Sequence, residues 1–130
     1  MEKGTSFSEV MIDNVPNDAL ILDIGSKTIE NINEFLSSVS TVVWCGPLGL
    51  FELNPFQTGT VSVAKEISKL TKDGKLISVA GGGDTVAALS QSNYNRDFTY
   101  ISTAGGAFLE LLAGESLPGI EVLKIDSEEK

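Results

Sequence analysis

The sequence predicts an α/β fold, a parallel sheet flanked by helices, and three observations predict it. Short apolar runs rich in branched residues alternate with segments whose apolar residues recur at intervals of three and four. Glycine follows each run. The 130 residues are 42% hydrophobic and 21% charged with no low-complexity stretch, the composition of a folding chain. Right-handed crossovers between parallel strands put helices on the sheet faces, so this alternation implies a parallel sheet.

Leu20-Ile21-Leu22-Asp23-Ile24, stopped by Gly25, reads as the first buried strand. From Lys27 the spacing of Ile29, Ile32, Phe35 and Leu36 predicts a helix that fades at Ser37-Ser38. Thr41-Val42-Val43-Trp44 is the second strand, closed by Gly46-Pro47 and a loop through Gly49, Asn54 and Pro55. Thr60 is placed to cap a long helix with Val61, Ala64, Ile67, Ser68 and Leu70 inward and Lys72-Asp73-Gly74 as its stop. Leu76 to Val79 is the third strand and the Ala-rich Thr85 to Leu89 segment the next helix. Phe98 to Ile101 is the fourth strand. Gly105-Gly106 opens a helix through Leu112 to Gly114, Pro118-Gly119 is a turn, and Ser127 to Lys130 should fray. The stretch from Gly4 to Asp18 holds one weak strand signal, Val10-Met11-Ile12, which leaves four or five strands, a thin sheet for a doubly wound domain.

The charge balance narrows the chemistry. Nine Lys and Arg against eighteen Asp and Glu give a net charge of -9, which opposes binding to nucleic acid or an anionic membrane. An anion site must then be built locally, from backbone N–H groups, a helix N-terminus or a bound cation. Histidine is absent, which removes the commonest general base and most catalytic zinc geometries. Cys45 is the lone cysteine, no apolar run reaches the ~20 residues of a membrane helix, and no secretory leader is legible, so the expectation is a soluble cytoplasmic protein.

In parallel sheets ligands bind beyond the carboxyl ends of the strands. All four predicted ends carry glycine: Gly25, Gly46 with Gly49, Gly81 to Gly83, and Gly105-Gly106. Glycine lets backbone approach a bulky anion, though strand-to-helix turns are glycine-rich in any case. The third end says most, because Asp84 and Thr85 follow the glycines directly. A carboxylate beside a phosphate calls for a cation between them, which makes Asp84 a candidate Mg²⁺ ligand and Thr85 a candidate phosphate contact; both residue types also serve as plain N-caps. Neither the P-loop pattern nor G-x-G-x-x-G after a strand occurs. Trp44 reads as a core or crevice-wall aromatic, Cys45 as a buried small residue, and Glu52 as either a ribose contact or a solvated loop carboxylate.

Four blocks taken together carry a sharper resemblance. Val43-Trp44-Cys45-Gly46-Pro47-Leu48-Gly49 with Phe51-Glu52, then Ala80-Gly81-Gly82-Gly83-Asp84-Thr85, then Ser102-Thr103-Ala104-Gly105-Gly106-Ala107, with Leu117-Pro118-Gly119 closing, resemble the nucleotide-binding C-terminal domain of phosphoglycerate kinase, in order and spacing, from about Leu20 to Leu123. The resemblance implies a Rossmann-like domain, incomplete across residues 1-130, in an enzyme that moves a phosphoryl group between 1,3-bisphosphoglycerate and Mg-ADP, giving 3-phosphoglycerate and ATP in glycolysis. It implies that Glu52 bonds the ribose, that Gly82, Gly83, Asp84 and Thr85 hold the ADP or ATP phosphates with Asp84 on Mg²⁺, and that Gly105 and Gly106 face the phosphoryl group in transfer. Such catalysis rests on positioning and charge stabilisation, and suits a site without histidine.

The chain departs from the family pattern at Cys45, where asparagine is usual, at Ser26, where proline is usual, and at Ala104 and Phe108, which match a variant found in some bacterial members. A complete member is about three times longer. By the resemblance, this chain lacks the N-terminal domain that binds phosphoglycerate and the opening strands of the nucleotide domain, including a phosphate-binding lysine. The expectation is a chain inactive alone, with a non-catalytic nucleotide-binding module and a structural remnant of a broken reading frame as the alternatives. The family is monomeric; as a remnant, such a piece could pair its exposed sheet edge with another copy or with the absent half.

Overall fold

The computed structural model describes residues 7–124. Its centre is a parallel sheet of three strands, β1 (Thr41–Cys45), β2 (Ile77–Gly81) and β3 (Tyr100–Ser102), in the order β1-β2-β3. The register aligns Val43 with Val79 and Tyr100, and Cys45 with Gly81 and Ser102. Helix α1 (Ser26–Leu36) precedes β1, α2 (Thr58–Lys72) and α3 (Gly83–Gln91) are the two crossovers, and α4 (Gly106–Leu112) and α5 (Pro118–Glu121) follow β3.

Because the strands follow one another in one direction, right-handed crossovers bring α2 and α3 over the same face. That face presents Trp44 and Ala80, and the core forms between them and Val63, Ala64, Ile67, Leu70 and Leu89. Ile67 is 1% exposed, a burial that contributes about 2 kcal/mol. Trp44 packs against Phe98 with ring centroids 6.2 Å apart, so the core reading of this tryptophan holds. Leu36, at the end of α1, closes the core from the α2 side. The last turn of α2 carries Lys69 and Lys72, cations beside the negative end of the helix dipole, and Gly74 then takes φ +69 to end it.

Several expectations are corrected. The sheet has three strands among the described residues, because Leu20–Ile24 runs as irregular chain with Leu20 and Ile21 exposed. Its apolar content is that of a strand, but its described backbone bond goes to a loop, where the Leu50 N–H donates to the Leu22 carbonyl at 2.8 Å. Gly25 therefore follows no strand; it is the residue before α1, where the Glu9 carboxylate accepts the Ser26 N–H and hydroxyl, each at 2.7 Å. Ile12–Asn14 form a short 3-10 turn instead of a strand, and Pro118, fixed at a helical φ, starts α5 instead of a turn. The fourth predicted strand survives as β3, beginning at Tyr100. Thr60 does not cap α2, which starts two residues earlier; it is buried, with its hydroxyl accepting the Leu48 N–H at 3.0 Å. Val63, not Val61, is the fully buried valine of α2, and Phe35 is exposed on α1. Ser127–Lys130 lie outside the described residues.

Candidate functional site

The carboxyl ends of β1, β2 and β3 lie in register at Cys45, Gly81 and Ser102, so the loops leaving them start from one edge of the sheet. Beyond β2, Gly82 takes φ +99, a conformation strained for any residue with a Cβ, and turns the chain from strand into α3 within one residue. No side chain caps α3. The first backbone N–H groups of a helix have no intrahelical acceptor, so Gly83, Asp84 and Thr85 start α3 with N–H groups available for an anion. Gly83 has open space where a Cβ would stand.

The two residues after the glycines differ in kind. Asp84 is exposed in the first turn of α3. Thr85 is 1% exposed, and its hydroxyl oxygen accepts the Gly46 N–H at 2.7 Å. One β-branched side chain thus ties the end of β1 to the start of α3 across 39 residues. Gly46 itself has φ +93, and its carbonyl accepts the Trp44 indole N–H, so this corner is fixed by backbone conformation and by two side chains. Gly81 is tight for a different reason: a Cβ there would meet the Phe108 ring of α4 at 2.6 Å.

One strand over, Gly105 takes φ +57 ahead of α4 and Gly106 is its first residue. Both have open space where a Cβ would stand. Glu52 sits exposed in a turn closed by the Leu53 N–H donating to the Leu50 carbonyl at 3.1 Å. The structure therefore joins Gly82 to Thr85 directly with Gly46 and sets Gly105-Gly106 at the same sheet edge, with Glu52 on the loop between β1 and α2. Cys45 is exposed, contrary to the expected buried residue, and a Cβ on Gly82 would stand 3.6 Å from its Sγ.

Sequence reasoning missed Asp23. Its carboxylate accepts the Gly59 N–H at 2.8 Å and the Ile24 N–H at 2.9 Å, and it occupies the space that a Cβ on Gly49 or Gly59 would need. The signal was present as one acidic residue inside an otherwise apolar run. An open groove of about 370 Å³ runs alongside, between Ile21–Ile24 and Pro47–Leu50. A smaller cleft of about 160 Å³ lies between α2 and α3, lined by Phe51, Gln57 and Gln91 among others. The glycine turn lines neither. Among the described residues no group of three acidic, cysteine or histidine side chains is placed to hold a metal. Among the described residues no helix is long and apolar enough to cross a membrane.

Known proteins resemble this chain closely. The model of the phosphoglycerate kinase family matches residues 2–115, starting earlier than the Leu20 expected from the motifs and ending before Leu117-Pro118-Gly119. The chain is 58% identical over 114 residues to a phosphoglycerate kinase of Rhodopseudomonas palustris, covering 88% of this chain and 29% of that protein. It is 54% identical over 121 residues to one of Mesorhizobium japonicum, covering 93% and 30%. The phosphoglycerate kinase structure from Coxiella burnetii superposes with a TM-score of 0.75 at 40% identity, over 86% of this chain and 28% of that one. The Pyrococcus horikoshii structure gives 0.68 at 40%, over 80% and 24%. The chain spans about 29% of the length of the curated relatives it matches. With the family model covering residues 2–115 and the sheet and helices shared with solved members, the chain belongs to the phosphoglycerate kinase family.

Proposed function

We propose that this chain carries the magnesium–nucleotide site of a phosphoglycerate kinase. The observation that carries the reading is the opening of α3, where Gly82 at φ +99 frees uncapped N–H groups and exposes Asp84 while Thr85 anchors the turn to Gly46. Gly82, Gly83 and the Thr85 backbone cradle the phosphates of ADP or ATP. The Asp84 carboxylate would hold Mg²⁺, which would supply positive charge beside the nucleotide phosphates. Glu52 accepts a ribose hydroxyl, and Gly105 and Gly106 let the backbone approach the phosphoryl group in transfer, where a Cβ would intrude. Family membership supports the overall reaction, transfer between the acyl phosphate of 1,3-bisphosphoglycerate and Mg-ADP to give 3-phosphoglycerate and ATP. Phosphoglycerate binding belongs to portions of the enzyme beyond this chain, so the purified 130 residues hold nucleotide without turnover.

Titration of Mg-ADP followed by backbone amide NMR tests the site. Shifts at Gly82 to Thr85 that require magnesium are expected, and their absence would reject the reading. A coupled ATP-forming assay of the purified chain is expected to stay at background; measurable turnover would show that the chain needs no further portion.

A further inference from the structure

Gly46 is held from both sides by side chains. Its N–H donates to the Thr85 hydroxyl at 2.7 Å, and its carbonyl accepts the Trp44 indole N–H at 2.5 Å. The two partners come from different elements, Trp44 from β1 and Thr85 from the first turn of α3. An indole has one polar atom, a donor that needs a partner when buried, and Trp44 is 7% exposed. Packing against Phe98 fixes the ring, so its N–H is a fixed point for the Gly46 peptide. Gly46 takes φ +93, and a glycine has other conformations open to it, so these two bonds select this one. Thr85 in turn follows Gly83 and Asp84 in the same turn of α3 and sets where their N–H groups stand. Gly82, which joins that turn to β2, has the freest kind of backbone, so the Thr85 anchor is the restraint nearest the turn.

We propose that the Trp44 indole N–H is a positioning group for the nucleotide phosphates, acting through Gly46 and Thr85 on the N–H groups that open α3. The inference rests on the nucleotide reading of that turn and adds to it a residue whose side chain belongs to the core. Donors held in place before a ligand arrives leave less ordering to be done on binding. Loss of the indole N–H therefore appears as weaker affinity, by roughly threefold to tenfold, the worth of one hydrogen bond.

Trp44 is the only tryptophan, so the chain can be prepared with β-(3-benzothienyl)alanine in its place, which keeps the shape of the ring and puts sulfur where the N–H stands. Calorimetric titration of the purified chain with Mg-ADP should show the isostere weaker than the parent by roughly threefold to tenfold. Hydrogen exchange at the Gly46 amide of the free protein should be faster. Trp44→Phe keeps an aromatic ring in the core, also lacks the donor, and should show at least the same loss. Ile67→Val lowers stability by a comparable amount from a core position on α2 and should leave the affinity unchanged. An isostere that binds Mg-ADP as tightly as the parent, or an equal loss in Ile67→Val, overturns the positioning role and leaves the nucleotide reading standing. A parent chain without magnesium-dependent affinity for ADP overturns the nucleotide reading, and the positioning role falls with it.

Discussion

The carboxylate of Asp23 accepts the backbone N–H of Gly59 at 2.8 Å, so the first turn of α2 is capped by a residue 36 positions earlier in the chain. The same carboxylate fills the Cβ space of Gly49, and Leu22 beside it accepts the Leu50 N–H. One short segment therefore holds both the start of α2 and the loop that leads to Glu52. Asp23→Ala should cost about 1–2 kcal/mol, the range for loss of an N-cap, and Asp23→Asn should recover part because its amide oxygen still accepts. Urea denaturation measures both; an Asp23→Ala midpoint equal to the parent's would mean the latch contributes nothing.

Thr85 gives a second test, in which two substitutions of similar size separate. Thr85→Val keeps the buried volume but leaves the Gly46 N–H without its acceptor, at a cost of about 1–3 kcal/mol. Thr85→Ser keeps the oxygen and should cost less. If valine and serine destabilise equally in thermal unfolding, the hydrogen bond is not what fixes the corner.

These contacts explain which parts of the molecule were legible in the sequence. Helix α2 and strand β2 follow local periodicity, and Ala64, Ile67, Ser68 and Leu70 are buried as their spacing requires. The glycine turn was legible too, since the demand for positive φ at Gly82 arises within the turn itself. Leu20–Ile24 was misread because the features that define it are distant: Gly59 is reached by Asp23, and Leu50 by the Leu22 carbonyl. Gly25 likewise faces Glu9, and Thr60 serves Leu48, neither visible in a window of neighbours. At the site, sequence pattern singled out Asp84 and Thr85 as a pair, and folding separates them into an exposed carboxylate and a buried anchor.

Asp84 and Gly82 should both matter for nucleotide binding but differ in their effect on stability. Asp84→Ala, at an exposed position, should change stability by no more than about 0.5 kcal/mol yet abolish the magnesium-dependent part of Mg-ADP binding. Gly82→Ala forces a Cβ onto φ +99 and should cost about 1–2 kcal/mol while also weakening nucleotide binding. Calorimetric titration beside thermal melts resolves the two, and an Asp84→Ala protein with undiminished magnesium-dependent affinity would remove Asp84 as ligand.

Acid stability supplies the last test. Asp97 accepts the Ser68 hydroxyl from the core side of α2 and pairs with Lys72 at 2.9 Å, tying the segment before β3 to that helix. The Ser68 hydroxyl first, and then Lys72, hold its carboxyl below the ordinary range. The Ser26 hydroxyl and N–H do the same for Glu9 at the start of α1. A carboxylate with a depressed folded pKa contributes stability that is fully present above its unfolded value of about 4, and loses it as pH falls through the folded value. Ser68→Ala removes the larger cause at Asp97, so its deficit against the parent should be clear at neutral pH and shrink in strong acid, where both proteins carry a neutral Asp97. Thermal midpoints of parent and variant across the acid range measure this. A deficit that stays constant from neutral pH into strong acid would mean that Ser68 acts by packing in the core and not through the Asp97 carboxylate.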